Sequence, residues 1–266
     1  MKIFLKILLI VLWVAIAAGV VVMMGFANIT HEVKSCRGII CDINFKGIDP
    51  LISNNDLING INKRFGKLQN KKTGDVDVAG IISYLQKEPY LENMDVQVSV
   101  EGNIMVSADQ CEPIIRYITA TGQQHFIDRN GRIMPINPEY PYKTIIATGE
   151  IENALGDGKN IFSVPDSNKL LRYSLKSLYD LHGLATVIVA DCTLKALIEQ
   201  VNITKEGKIQ LITKAGSHIV YVGDTTDLAE KLENLKSFYK YGLVITGWNK
   251  YGKINLEYKN QIVCTN

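Results

Sequence analysis

No CxxC pair, no HxxxH or HExxH spacing and no GxSxG turn occurs anywhere in the 266 residues. Each absence removes a class. The five cysteines, at 36, 41, 111, 192 and 264, are odd in number and widely spaced, which does not make a disulfide framework or a zinc ribbon. The four histidines, at 31, 125, 182 and 218, lie far apart, so no metal site is expected and no cofactor. Without a nucleophile elbow, or a histidine at a defensible spacing from a serine or cysteine, no catalytic residue is expected either. Charge of one sign is also missing. Twenty-nine basic residues balance 27 acidic ones without a basic run, so nucleic acid is not an expected partner.

What the chain does have is one long apolar run. Between Lys6 and Asn28 lie 21 uncharged residues, ILLIVLWVAIAAGVVVMMGFA, which as a helix would span roughly 31 Å, a bilayer core. The expectation is a tail over 1–6, a transmembrane helix over 7–27 and a linker over 28–37. The alternative is a cleaved signal peptide, with small residues at Gly25 and Ala27 for the cut. Lys2 and Lys6 before the run, against Lys34 and Arg37 after it, tilt the N-terminus toward the cytoplasm and the rest to the outside.

Beyond the linker, periodicities alternate. Ile39 to Phe45 reads as a strand. Ser53, Asn54 or Asp56 can cap a helix carrying Leu57, Ile58, Ile61 and Phe65, and Asp77 precedes a second with Val78, Ile81, Ile82 and Leu85. MDVQVSV and IMVSA flank EGN as a hairpin. The order over 38–109 is strand, helix, helix, strand, strand. Residues 110–266 read as a β-dominated domain with two helices. One follows Pro165 and Asp166 with Leu171, Leu175 and Leu178 in phase; the other starts at a box-like Asp227 and Glu230 with Leu228, Leu232, Leu235 and Tyr239. ATVIVA, QVNIT, GKIQLIT and SHIVYVG read as strands, and GLVITGW leads into the terminal strand. Asn130-Gly131 in DRNGR marks a hairpin, a better account than half a calcium loop. The final strand alternates: Ile254, Leu256, Tyr258, Asn260, Ile262 and Cys264 on one face, Asn255, Glu257, Lys259 and Gln261 on the other. The fold class is therefore α+β. Trp248 and Tyr251 beside that strand suit core packing or an interface.

The chain as a whole resembles FtsQ/DivIB, the bitopic bacterial cell division protein, in the form found in Bacteroidota. The resemblance rests on Gln110, Pro113 and Ile114, on Phe126-Ile127-Asp128 with Gly131, Met134 and Pro135, and on Leu256, Tyr258, Gln261 and Val263. It implies a POTRA-like first module, an extracytoplasmic β domain and no catalysis. It also implies a single-pass scaffold in the inner membrane at the mid-cell septum, with a periplasmic C-terminus. Such a scaffold would recruit FtsB and FtsL through the C-terminal strand, and other divisome proteins through the POTRA-like domain. The partner-binding set is then Trp248, Tyr251, Leu256, Glu257, Tyr258, Lys259, Asn260, Gln261 and Ile262. Cys111 stands where many members have arginine and Glu257 where some have a basic residue, so the family's ionic contacts are not implied here. A POTRA-bearing accessory of envelope protein assembly or transport is the alternative, followed by an anchored envelope hydrolase.

Overall fold

The computed structural model describes residues 11–23, 34–259 and 261–266. Residues 11–23, called α1, are helical. Among the described residues no helix is long and apolar enough to cross a membrane. The transmembrane helix expected over 7–27 is thus corrected. The bitopic inner-membrane scaffold, its single-pass topology with a periplasmic C-terminus, and its septal location rested on that span and fall with it. Positions 7–10 and 24–27, including the possible signal cleavage site, lie outside the described residues.

The chain divides into two compact units. The first comprises residues up to 46, 52–87 and 91–109. Its strands β1 (Gly38–Asn44), β2 (Leu91–Val98) and β3 (Asn103–Gln110) form a sheet in the order β1-β3-β2, with β1 and β3 parallel. A parallel pair needs a crossover, which the helices α2 (Asn54–Phe65) and α3 (Val78–Leu85) supply. Ser53 caps α2 in a reciprocal box with Asp56, and Asp77 caps α3 by accepting from the Gly80 amide at 2.8 Å. Leu57, Ile61, Ile81 and Leu85 are buried, together with Ile43, Ile104 and Val106 of the sheet. Cys41 is buried as well, which pushes its thiol up to about 11, as fits a small core residue.

The second unit comprises 47–51, 88–90 and 110–266. Gln110, fully buried, ties its first piece in place: its amide donates to the Asp49 carbonyl at 3.0 Å and its oxygen accepts from the Leu51 N–H at 2.7 Å. The unit is built on a nine-stranded mixed sheet. Its strands are β4 (Pro113–Ile118), β5 (Gln124–Asp128), β6 (Ile133–Pro135), β7 (Ile145–Gly149), β8 (Ile198–Ile203), β9 (Ile209–Thr213), β10 (Ile219–Gly223), β11 (Lys253–Asn255) and β12 (Val263–Thr265). Their order is β12-β11-β10-β9-β8-β7-β4-β5-β6. In DRNGR, Asp128 is buried and accepts from the Asn130 and Arg132 amides at 2.9 and 2.7 Å. It organises the β5–β6 hairpin, with Gly131 at φ 82°.

Helices differ most from the sequence expectation. Instead of two, this unit has α4 (Lys169–Ser174), α5 (Lys176–Ala190), α6 (Cys192–Leu197), α7 (Leu228–Ser237) and α8 (Leu243–Thr246). ATVIVA is not a strand but the end of α5, where Leu178, Leu181, Leu184, Ala185 and Ile188 recur at helical spacing and are fully buried. GLVITGW, left without an element by the sequence, is helical at its start. It runs from a π-turn (Phe238–Gly242) into α8. The continuous final strand is also corrected: Ile254 and Cys264 face each other across an antiparallel hairpin of β11 and β12, joined by residues 256–262.

Candidate docking groove at the end of the sheet

The two ends of the large sheet are finished differently. At the β6 end, Ile133 donates to the Lys159 carbonyl at 2.8 Å and accepts from Gly158 at 2.8 Å, while Ile161 donates to Gly131 at 2.9 Å. That edge is covered by its own chain. At the other end β12 has β11 as its only sheet neighbour among the described residues. A strand so placed presents backbone groups that a further strand could satisfy.

Beside this open edge lies a groove of about 210 Å³. One wall is the start of α7 and the loop before it, with Asp224, Thr226, Asp227, Glu230, Lys231 and Asn234; the other is the β11–β12 connection, with Leu256, Glu257, Tyr258, Lys259, Gln261 and Ile262. Chain direction explains the second wall. Leu256 is buried and donates its N–H to the Tyr221 carbonyl at 2.8 Å, which prolongs the parallel β10–β11 pairing by one bond and delivers Glu257 and Tyr258 to the rim. The Glu257 N–H donates to the Asn255 side chain at 2.9 Å, and its carboxylate stands 3.4 Å from the Lys208 ammonium. It passes over Gly223, where a Cβ would lie 2.5 Å from the Glu257 Cγ. Gly223 has φ 81°, so its missing side chain serves both backbone and neighbour.

Lys231 ties the first wall together by donating to the Asp224 carbonyl and carboxylate at 3.0 and 3.1 Å. With the Thr226 amide, that bond holds the Asp224 carboxyl below the usual carboxylate range. Asp227 begins α7 from a left-handed backbone, φ 50°, with no side-chain capping bond. The expected capping box with Glu230 is therefore absent, and both carboxylates are exposed at the groove. The lining carries four carboxylates, Asp224, Asp227, Glu230 and Glu257, against two lysines, Lys231 and Lys259.

Of the nine residues expected at the partner site, the structure brings Leu256, Glu257, Tyr258, Lys259, Gln261 and Ile262 together here. Asn260 lies outside the described residues. Trp248 and Tyr251 do not line the groove: Trp248 sits edge-on to Tyr239 at 5.8 Å and Tyr251 lies 6.3 Å from Phe238. The α7 wall was missed by sequence reasoning. Its signal was the polar spacing of Asp227, Glu230, Lys231 and Asn234 on one helical face, which the sequence reading treated only as a helix start.

Residues 112–265 match the family described as FtsQ/DivIB, C-terminal related. The chain belongs to that family. Its matched stretch begins just before β4 and ends with the last residue of β12, so it takes in the whole large sheet and both walls of the groove. FtsQ/DivIB-related proteins are non-catalytic scaffolds, and the chain is not an enzyme. No curated protein matches the chain at a significant level. The expected partnership with the inner membrane, and with FtsB and FtsL in that setting, is corrected together with the anchor it depended on: no described helix can cross a bilayer, and family membership alone names no partner.

Proposed function

We propose that the chain is a protein-docking module that receives an extended polypeptide segment as a tenth strand beside β12, with neighbouring side chains of that segment seated in the adjacent groove. The observation that carries this reading is the contrast between the two sheet ends: one closed by residues 158–161, the other left with a single-neighbour strand next to a concave surface. Main-chain bonds of about 0.5–1.5 kcal/mol each would supply affinity, and the groove would supply selectivity. Leu256, Tyr258 and Ile262 offer apolar contact. Asp227 and Glu230 favour a basic side chain on the incoming segment. The short, three-residue β12 limits indiscriminate pairing. Within the family, we assign the chain to the Bacteroidota form on Gln110, Pro113, Ile114 and the Phe126 to Pro135 block. The buried bonds of Gln110 support a structural reason for the first of these.

A photoreactive amino acid in place of Tyr258, in the full chain in living cells, tests the reading. Cross-links to an extended segment of another protein, lost when residues 263–266 are removed, are expected. Cross-links that persist after that deletion would exclude strand addition at this edge.

A further inference from the structure

A second exposed surface lies on the π-turn and α8. Tyr241, Val244, Ile245 and Trp248 follow the spacing i, i+3, i+4, i+7 and are 61, 65, 86 and 40% exposed. Their opposite face is the one that packs inward, through the buried Tyr239 and Leu243. Tyr239 is pinned from below, its hydroxyl bonding Thr213 Oγ1 at 2.8 Å and the His218 ring, and Trp248 rests edge-on against it at 5.8 Å. The stripe is therefore held in place rather than loosely appended. Four large apolar side chains exposed close together along the chain exceed the scattered surface residues that need no explanation.

The chain segment that carries this stripe has charge of one sign. From Asn234 to Leu256 there are four lysines, at 236, 240, 250 and 253, and no acidic residue. Lys236 is engaged by Asp191 and Glu233, at 2.7 Å each. Lys240 and Lys250 instead lie over the Tyr241 and Tyr251 rings, 5.1 and 5.5 Å from their centres, and Lys253 lies 3.8 Å from that of Tyr221. Cation–π contact positions an ammonium while leaving its charge uncompensated.

We propose that this surface docks an acidic amphipathic helix of another protein, whose apolar ridge packs on Tyr241, Val244, Ile245 and Trp248 while its carboxylates meet Lys240 and Lys250. The inference is independent of the groove beside β12. Charge complementarity selects the occupant: a second copy of this chain would bring the same lysines together across a two-fold axis. The exposed apolar ridge of Tyr241, Val244 and Ile245, continued past the Gly247 turn by Trp248, suits a helix laid along it. Ammonium groups set at defined positions over aromatic rings fit fixed carboxylates better than a diffuse headgroup layer.

The test places a photoreactive amino acid at Ile245 of the full chain in its native cells, with Glu101, an exposed hairpin residue, as the control position. The expected result is a cross-link above the control level to a segment richer in Asp and Glu than in Lys and Arg, with apolar residues at helical spacing. The Lys240→Glu, Lys250→Glu double variant should lose it with an unchanged thermal melt, while any Tyr258 cross-link persists. Cross-links to lipid, to the same chain or to a segment lacking acidic excess would overturn the proposal. So would the absence of a cross-link above control, or one indifferent to the charge reversal.

Discussion

Replacing Gly223 with alanine perturbs the groove at a point where two costs can be separated. The backbone there is left-handed, φ 81°, a conformation that costs an L-residue about 1–2 kcal/mol. The added Cβ would also sit 2.5 Å from Glu257 Cγ and 2.6 Å from its Oε1, so that side chain must move. Because Glu257 is a flexible side chain at the rim, moving it costs little more than its exposed ion pair with Lys208, about 0.2–1 kcal/mol. Together the substitution should destabilise the second unit by about 1–3 kcal/mol. The assay is urea unfolding followed through Trp248 fluorescence in a Trp13→Phe background. Glu257→Ala should cost under about 1 kcal/mol alone, and in that background Gly223→Ala should retain only its backbone cost. A fully additive double variant would refute the close approach of Glu257 to Gly223. An unchanged midpoint for Gly223→Ala would refute the backbone account as well.

Other consequences follow from burial. Ile81→Asp places a carboxylate at a fully buried position of α3 and should unfold the first unit or cost several kcal/mol, whereas Ile82→Asp, at a half-buried one, should cost clearly less by circular dichroism melts. His218 is buried against Tyr239, and desolvation lowers its pKa, the Trp248 carbonyl opposing. The unfolded chain then binds the proton more readily, so stability should fall as pH drops below about 6.5, the ordinary histidine value, and a His218→Asn variant should show a flatter profile between pH 7.5 and 5 in urea titrations. Ile188→Ala, at a fully buried position in the last turn of α5, should cost about 2–5 kcal/mol in the same titrations, and a cost near zero would contradict the helical placement of ATVIVA.

Where local chemistry dictates local structure, the sequence was readable. Ser53 with Asp56, Asp77 and Asn130-Gly131 each act within four residues of where they stand, and each forms the cap or turn its type favours. Longer-range effects were not readable. ATVIVA is β-branched and looks like a strand, yet it continues the buried stripe of α5, and packing against the sheet overrides its weak preference. In GLVITGW, Leu243 is anchored in the core while Val244 and Ile245 face outward. The terminal alternation was genuine at Ile254 and Cys264, but those residues oppose each other across a hairpin instead of following one another along a strand. Period two cannot tell these apart when the turn lacks a glycine or proline, and 256–262 has neither. Most of the groove's second wall was found because it is contiguous in sequence. Its first wall, some 30 residues earlier on α7, becomes a neighbour only through the β10–β11 crossover.

The account rests on β12 being an open edge that a partner strand fills. Amide hydrogen exchange of the full chain, alone and in complex with whichever segment cross-links to Tyr258, measures this directly. Amides within Val263–Thr265 should exchange rapidly in the free chain and slow by at least about tenfold in the complex, while those of β6 stay unchanged. Equal exchange of β12 in both states, with protection confined to α7 or elsewhere, would contradict strand addition at this end of the sheet.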